Sequence, residues 1–183
     1  MALNMGRSPK EGDLRRLTLG EIVLARQVFG DAVAYHRVWI HYDSYLPLGL
    51  QRENTAMAPN GEIYLRKGTY LPDFSTGYYR SQHMFIHEMG HVWQHQQGMW
   101  VRTRGLLSWA ANYHYRLDGK KLLHHYPMEQ QAQIIADYFL LRFHGWNIWS
   151  REVGNVVTFQ GITDRRTAAP LYQYALTKFF TQR

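Results

Sequence analysis

Apolar residues fall into two rhythms along this chain, one helical and one alternating. Thr18-Leu19-Gly20-Glu21 has the spacing of a capping box. Ile22, Val23, Ala25, Val28 and Phe29 follow at helical intervals up to Gly30, which predicts a short amphipathic packing helix. Between residues 32 and 41 the β-branched and aromatic residues Val33, Tyr35, Val38 and Ile40 predict a strand, which Leu46-Pro47-Leu48-Gly49 breaks. Residues 55–65 read as a second strand pair around the turn Pro59-Asn60-Gly61. Residues 61–66 are then a candidate exposed edge on which an extended peptide can pair, or an ordinary hairpin that packs.

The helical rhythm returns at Ile86, Met89 and Trp93, with Ser75 or Thr76 to cap the start and Gly98 to end it. Residues 105–115 mix Leu106, Leu107, Trp109 and Ala110 with Tyr113, His114 and Tyr115, and predict a further helix leading into an aromatic cluster. Leu117-Asp118-Gly119-Lys120 marks a turn. Pro127 suits the first position of a helix whose stripe of Ile134, Ile135, Tyr138 and Leu141 would pack beside the helix of residues 86–93. The pattern weakens through residues 146–159, and Pro170 opens a last packing helix of Leu171, Tyr174, Ala175, Leu176 and Phe179. The expected architecture is a single α+β domain, a small N-terminal β-sheet packed on a helical bundle.

Composition supports one domain: 183 residues, 45% hydrophobic and 15% aromatic, suffice for a core. The polar residues 1–13 read as a flexible lead, and 14–183 as the domain. No run of eighteen apolar residues predicts a transmembrane helix, and no basic-then-apolar start predicts a signal peptide. The chain has no cysteine, which removes disulfides and thiolate metal sites together and leaves His and carboxylate as ligands. A net charge of +7 invites a nucleic-acid reading. The basic residues are scattered, however, in pairs such as Arg15-Arg16, Lys120-Lys121 and Arg165-Arg166, so no nucleic-acid partner is expected. Attraction to anionic surroundings such as a bacterial envelope is the milder inference.

Chemistry enters with Phe85-Ile86-His87-Glu88-Met89-Gly90-His91-Val92-Trp93, which holds His-Glu-x-x-His inside a helical segment. Residues four apart lie about 40° apart around a helix, so both imidazoles reach one ion. Glu88 then stands beside the ion, where its carboxylate can act as general base toward water. Histidine also recurs at His83 and His95, but each step of four climbs about 6 Å, so only neighbours share an ion. Only the middle pair encloses a glutamate in the second position.

A catalytic zinc takes three protein ligands. A metzincin would place its third histidine at position 97, which is Gln97, and that family is excluded. The best donor further along is Glu129, at the start of the helix after Pro127. Asp137, two turns later, is a candidate to orient a ligand histidine through its ring N–H. His114, His124 and His125 remain alternative ligands. His114, His124, Tyr113, Tyr115 and Tyr126 remain candidates to stabilise a developing oxyanion.

Residues 85–97, followed by Glu129-Gln130-Gln131-Ala132 and Asp137-Tyr138-Phe139, resemble a family of small bacterial zinc proteins associated with Rhs and Vgr loci of type VI secretion. Among its relatives are metallopeptidase extensions at the C-terminus of some VgrG spike proteins. The likeness also takes in residues 17–30 and 57–64. It implies a gluzincin-like zincin fold with zinc on His87, His91 and Glu129, Glu88 as catalytic base, and use as an antibacterial toxin in the target-cell periplasm. A cognate immunity protein and attachment to a type VI spike are the implied partners, and protein or peptide of the envelope the implied substrate. Two other functions share these residues: a zinc amidase or endopeptidase acting on peptidoglycan, and a non-enzymatic module in which zinc pins two helices. One departure is plain, since many gluzincins place an acid four residues after the ligand glutamate and this chain has Gln133.

Overall fold

The computed structural model describes residues 8–99, 112–161 and 163–181. The fold is a small α+β domain. Strand β1 (Asp13–Arg16) leads into helix α1 (Leu19–Phe29), followed by β2 (Trp39–Tyr42), β3 (Ile63–Leu65) and the long α2 (Tyr79–Gln96). Helix α3 (Met128–Phe139) runs on through a π-helical turn (Leu140–His144), and α4 (Trp146–Glu152), α5 (Arg165–Ala175) and α6 (Thr177–Thr181) complete the bundle.

The three strands lie in the order β1-β2-β3, antiparallel between β1 and β2 and parallel between β2 and β3. Sheet and bundle share one core in which Phe29, Ile40, Ile63, Leu65, Phe74, Phe85, Ile86, Met89, Ile134, Phe139, Trp149 and Tyr172 are all fully buried.

The predicted capping box is present. Thr18 Oγ1 accepts from Glu21 N, Glu21 Oε2 accepts from Thr18 N, and Gly30 closes the helix. Glu21 reaches further than a cap. Its buried carboxylate takes a two-pronged contact from Arg15 at 2.8 Å on each oxygen and accepts from Phe74 N at 3.0 Å. One side chain therefore binds β1, α1 and the approach to α2, and the neutralising guanidinium makes its burial tolerable.

Several boundaries differ from expectation. Residues 35–37 form a 3₁₀ turn, so the strand begins later, at Trp39. Asp73, not Ser75 or Thr76, caps the turn before α2, by accepting from Ser75 N. Helix α5 starts at Arg165 and contains Pro170 within it. The strand pair at 55–65 reduces to a bridge in which Met57 and Tyr64 exchange both backbone hydrogen bonds. That exchange occupies the outer side of β3. Thr69 Oγ1 takes Arg66 N and Asn60 Oδ1 takes Glu62 N, so residues 61–66 do not offer the open edge considered from sequence. Of the predicted helix at 105–115, residues up to 111 lie outside the described residues, as do residues 1–7 of the expected lead.

Candidate metal centre

Helix α2 carries the centre because one stripe of it is apolar and the next polar stripe is also buried. Ile86, Met89 and Trp93 face the core, while His83, His87, Glu88, His91 and Gln94 are buried polar residues on the adjoining faces. Helix α3 packs along it. Its first turn carries Glu129, and its own buried stripe includes Ile134 and Ile135.

The crossing brings three donor atoms together. His87 Nε2 and His91 Nε2 are 3.2 Å apart, His91 Nε2 and Glu129 Oε2 3.1 Å, and His87 Nε2 and Glu129 Oε2 3.5 Å. Ligands about 2.0–2.1 Å from a tetrahedral ion stand about 3.3–3.4 Å from one another, so the triangle has the size such an ion requires. Two histidines and a carboxylate, with no sulfur, suit zinc. Among the described residues this is the group of three or more such side chains that can hold a metal.

The electrostatics agree. Burial disfavours the charged form of Glu129, yet its hydrogen bonds to His87 and His91 outweigh burial and hold the carboxyl well below the usual range. Burial likewise works against a charged His91, but the hydrogen bond and charge of Glu129 lift its pKa to about 9. The pocket thus attracts positive charge, supplied by a proton or by a metal ion.

Glu88 is different. Burial pushes its pKa up, with His91 and His87 pulling the other way, and its Oε2 is buried without a hydrogen-bond partner among the described residues. A desolvated, unpaired carboxylate oxygen costs stability, and such costs concentrate where chemistry is done.

No protein-family model matches the sequence. The type VI secretion system spike protein VgrG2b of Pseudomonas aeruginosa is 42% identical over 133 residues, a stretch that spans 69% of this chain and 13% of that protein. The solved effector domain of Pseudomonas aeruginosa VgrG2b superposes with a TM-score of 0.64 at 34% identity, covering 86% of this chain and 89% of that domain. The chain belongs to the family of the VgrG2b effector domain. The matched stretch corresponds to a small part of the full spike protein.

The remaining candidates separate by their contacts. Tyr113 sits at the centre, its ring 5.8 Å from that of His87. Burial, then the charges of Glu129 and Glu88, raise its pKa and keep the phenol a donor. Tyr115 does not face the site. Its hydroxyl donates to Asp137 Oδ2 at 2.6 Å and accepts from Tyr172. Tyr126 donates to Arg116 O, and His114, His124 and His125 are exposed and do not join the three clustered donors.

Asp137 corrects one expectation. It is fully buried and contacts His83 Nε2 at 2.7 Å, not either histidine of the triad. Gln133 donates to the same oxygen and Thr158 N to the other, so Gln133 serves the Asp137 network in place of an acid. Thr158 Oγ1 in turn donates to Tyr113 O, so this network holds the segment that carries Tyr113.

Gln94 has no counterpart in the sequence-based expectations. Its Oε1 lies 2.9 Å from His91 Nδ1. The only signal available was its position three residues after a candidate ligand on the same helix.

Proposed function

We propose that this domain is a zinc-dependent, gluzincin-like peptidase that acts as an antibacterial effector in the periplasm of a target cell. The observation that carries the reading is the triangle of His87, His91 and Glu129 with Glu88 beside it, whose buried Oε2 has no hydrogen-bond partner among the described residues.

His87, His91 and Glu129 would hold the ion. A zinc ion so bound would supply a Lewis acid that polarises a carbonyl and acidifies water. Glu88 accepts the proton of the attacking water and returns it to the departing amine. With no hydrogen-bond partner on its buried Oε2 among the described residues, the Glu88 carboxylate is free to take a proton and to give it back. Tyr113 remains protonated beside His87 and donates a hydrogen bond toward the carbonyl oxygen as negative charge grows on it. Glu88 argues against a purely structural ion, because a metal that only pins two helices gains nothing from a buried, unpaired carboxylate at its side.

Homology to a spike protein's effector domain supports delivery on a type VI spike. The fold contains no cysteine, so an oxidising periplasm neither helps nor harms it, and a charge of +7 favours the anionic envelope. A producing cell would need an immunity protein. No helix of the described residues is long and apolar enough to cross a membrane.

The test combines chemistry and compartment. Purified protein should carry about one zinc, and Glu129→Ala, like His87→Ala, should lose most of it. Envelope proteins and purified sacculi digested in parallel separate protein from peptidoglycan as the substrate. Expression directed to the periplasm should be toxic and cytoplasmic expression much less so. A zinc-free protein with no hydrolytic activity would overturn the reading.

A further inference from the structure

Gln94 is a fully buried amide that touches both ligand-bearing helices. Its Nε2 donates to the backbone carbonyl of Met128 at 2.9 Å and to Gln131 Oε1 at 3.3 Å. Its Oε1 meets His91 Nδ1 at 2.9 Å. Gln131 in turn donates its Nε2 to Tyr126 O at 2.7 Å.

The directions of these bonds follow from two carbonyls. Tyr126 O and Met128 O can only accept, so the amide nitrogens of Gln131 and Gln94 must face them. The oxygen of Gln131 is thereby turned toward Gln94, and the oxygen of Gln94 toward His91. An amide oxygen only accepts, so His91 Nδ1 must carry the hydrogen. The lone pair of the neutral ring is then fixed on Nε2, the atom that faces His87 and Glu129. The same amide grips the carbonyl of Met128, one residue before Glu129.

We propose that Gln94 is the positioning residue of the metal centre, setting the tautomer of His91 and holding the first turn of α3 so that Glu129 meets the ion. This rests on the reading of His87, His91 and Glu129 as zinc ligands. Losing a partner of a ligand histidine typically lowers metal affinity about 10–100-fold. Here one substitution disturbs two ligands, so the upper part of that range is expected.

The experiment measures zinc affinity by competition with a chromogenic chelator, for the wild type and for Gln94→Met, which keeps the length and removes the hydrogen bonds. Nitrogen-15 NMR of the imidazoles reads the tautomer directly. The wild type with zinc should show His91 protonated at Nδ1 and bound through Nε2. Gln94→Met should bind zinc 10–100-fold more weakly, and its His91 Nδ1–H should exchange faster with solvent. A folded Gln94→Met with wild-type affinity and an unchanged Nδ1–H would overturn the proposal while leaving the metal centre intact. If Gln94→Met does not fold, the wild-type spectrum decides alone: a His91 bound through Nδ1 overturns the proposal, and a protected Nδ1–H upholds it. A wild type that binds no zinc would bring down the metal reading itself, and with it this one.

Discussion

Gly90 and Ala132 meet where α2 and α3 cross, so closely that a β-carbon on Gly90 would lie 3.1 Å from both Cα and Cβ of Ala132. The absent side chain lets the two backbones approach, and Glu129, one turn before Ala132, reaches His91 because they do. The glycine inside the His-Glu-x-x-His segment therefore sets the distance between the helices that carry the three clustered donors.

Substitution at that crossing should act on metal before it acts on fold. Gly90→Ala recovers about 1 kcal/mol of helix propensity and needs its neighbour to give only slightly, so its net effect on stability is small. Gly90→Val overpacks the crossing by about 1–3 kcal/mol and drives α3 away. Thermal unfolding should fall for Gly90→Val, and zinc affinity should fall in the order wild type, Ala, Val. Equal affinities for all three would show that the helix spacing does not set the ligand triangle.

How much of this was legible in the sequence depended on distance along the chain. His87, Glu88 and His91 are fixed to one another by helical geometry alone, and the Thr18–Glu21 cap spans three residues, so local spacing reveals both. Glu129 was reachable because the helix that carries it has a clear apolar stripe. β1 escapes the hydrophobic pattern for a physical reason. Its only apolar residue, Leu14, points to solvent at 51% exposure, while Arg15 turns inward to meet Glu21, so the hydrophobic alternation that marks a strand is inverted. The Asp137–His83 pair joins residues on different helices, and only the crossing decides that His83, not His87 or His91, comes within reach.

The metal-free protein should show an unusual pH profile. Despite burial, contact with Glu129 lifts the pKa of His91 from 6.5 to about 9. A basic group raised on folding adds stability below its unfolded value and gives it up as pH rises through the folded one. Glu129, lowered from 4.5, adds stability above 4.5 and loses it as pH falls toward its depressed value. Buried Glu88, raised from 4.5, adds to the loss as pH rises, so the chelated protein should weaken from pH 6.5 to about 9. Added zinc, which replaces the proton, should restore stability most strongly at the alkaline end. Melting temperatures with chelator and with zinc across this range test it, and a chelated protein that gains stability toward pH 9 would contradict it.

Tyr113 should matter for rate and not for metal. Tyr113→Phe keeps the ring beside His87 and removes only the hydroxyl donor. Loss of one donor to a developing oxyanion typically costs about 10²–10³ in kcat. Zinc content and KM should stay close to wild type, because the hydrogen bond strengthens only as charge develops. A variant with full kcat would assign the donor role to another group.

Glu88 offers the cleanest separation of chemistry from fold. It is not one of the three clustered donors, and its buried Oε2 has no hydrogen-bond partner among the described residues. Burial raises its pKa, so the carboxylate form is strained in the folded protein and destabilises it as pH rises above the unfolded value of 4.5. Glu88→Gln replaces that carboxylate with a neutral group of the same shape. The metal-free variant should melt at the same temperature as the metal-free wild type or higher, and the zinc-loaded variant should keep its metal while hydrolysis falls by about 10²–10⁴-fold for want of a proton acceptor. Toxicity in the periplasm should fall with it. A zinc-loaded, fully folded Glu88→Gln that stayed toxic would move the function from hydrolysis to binding, since the fold, the metal and the surface would all be unchanged and only the base removed.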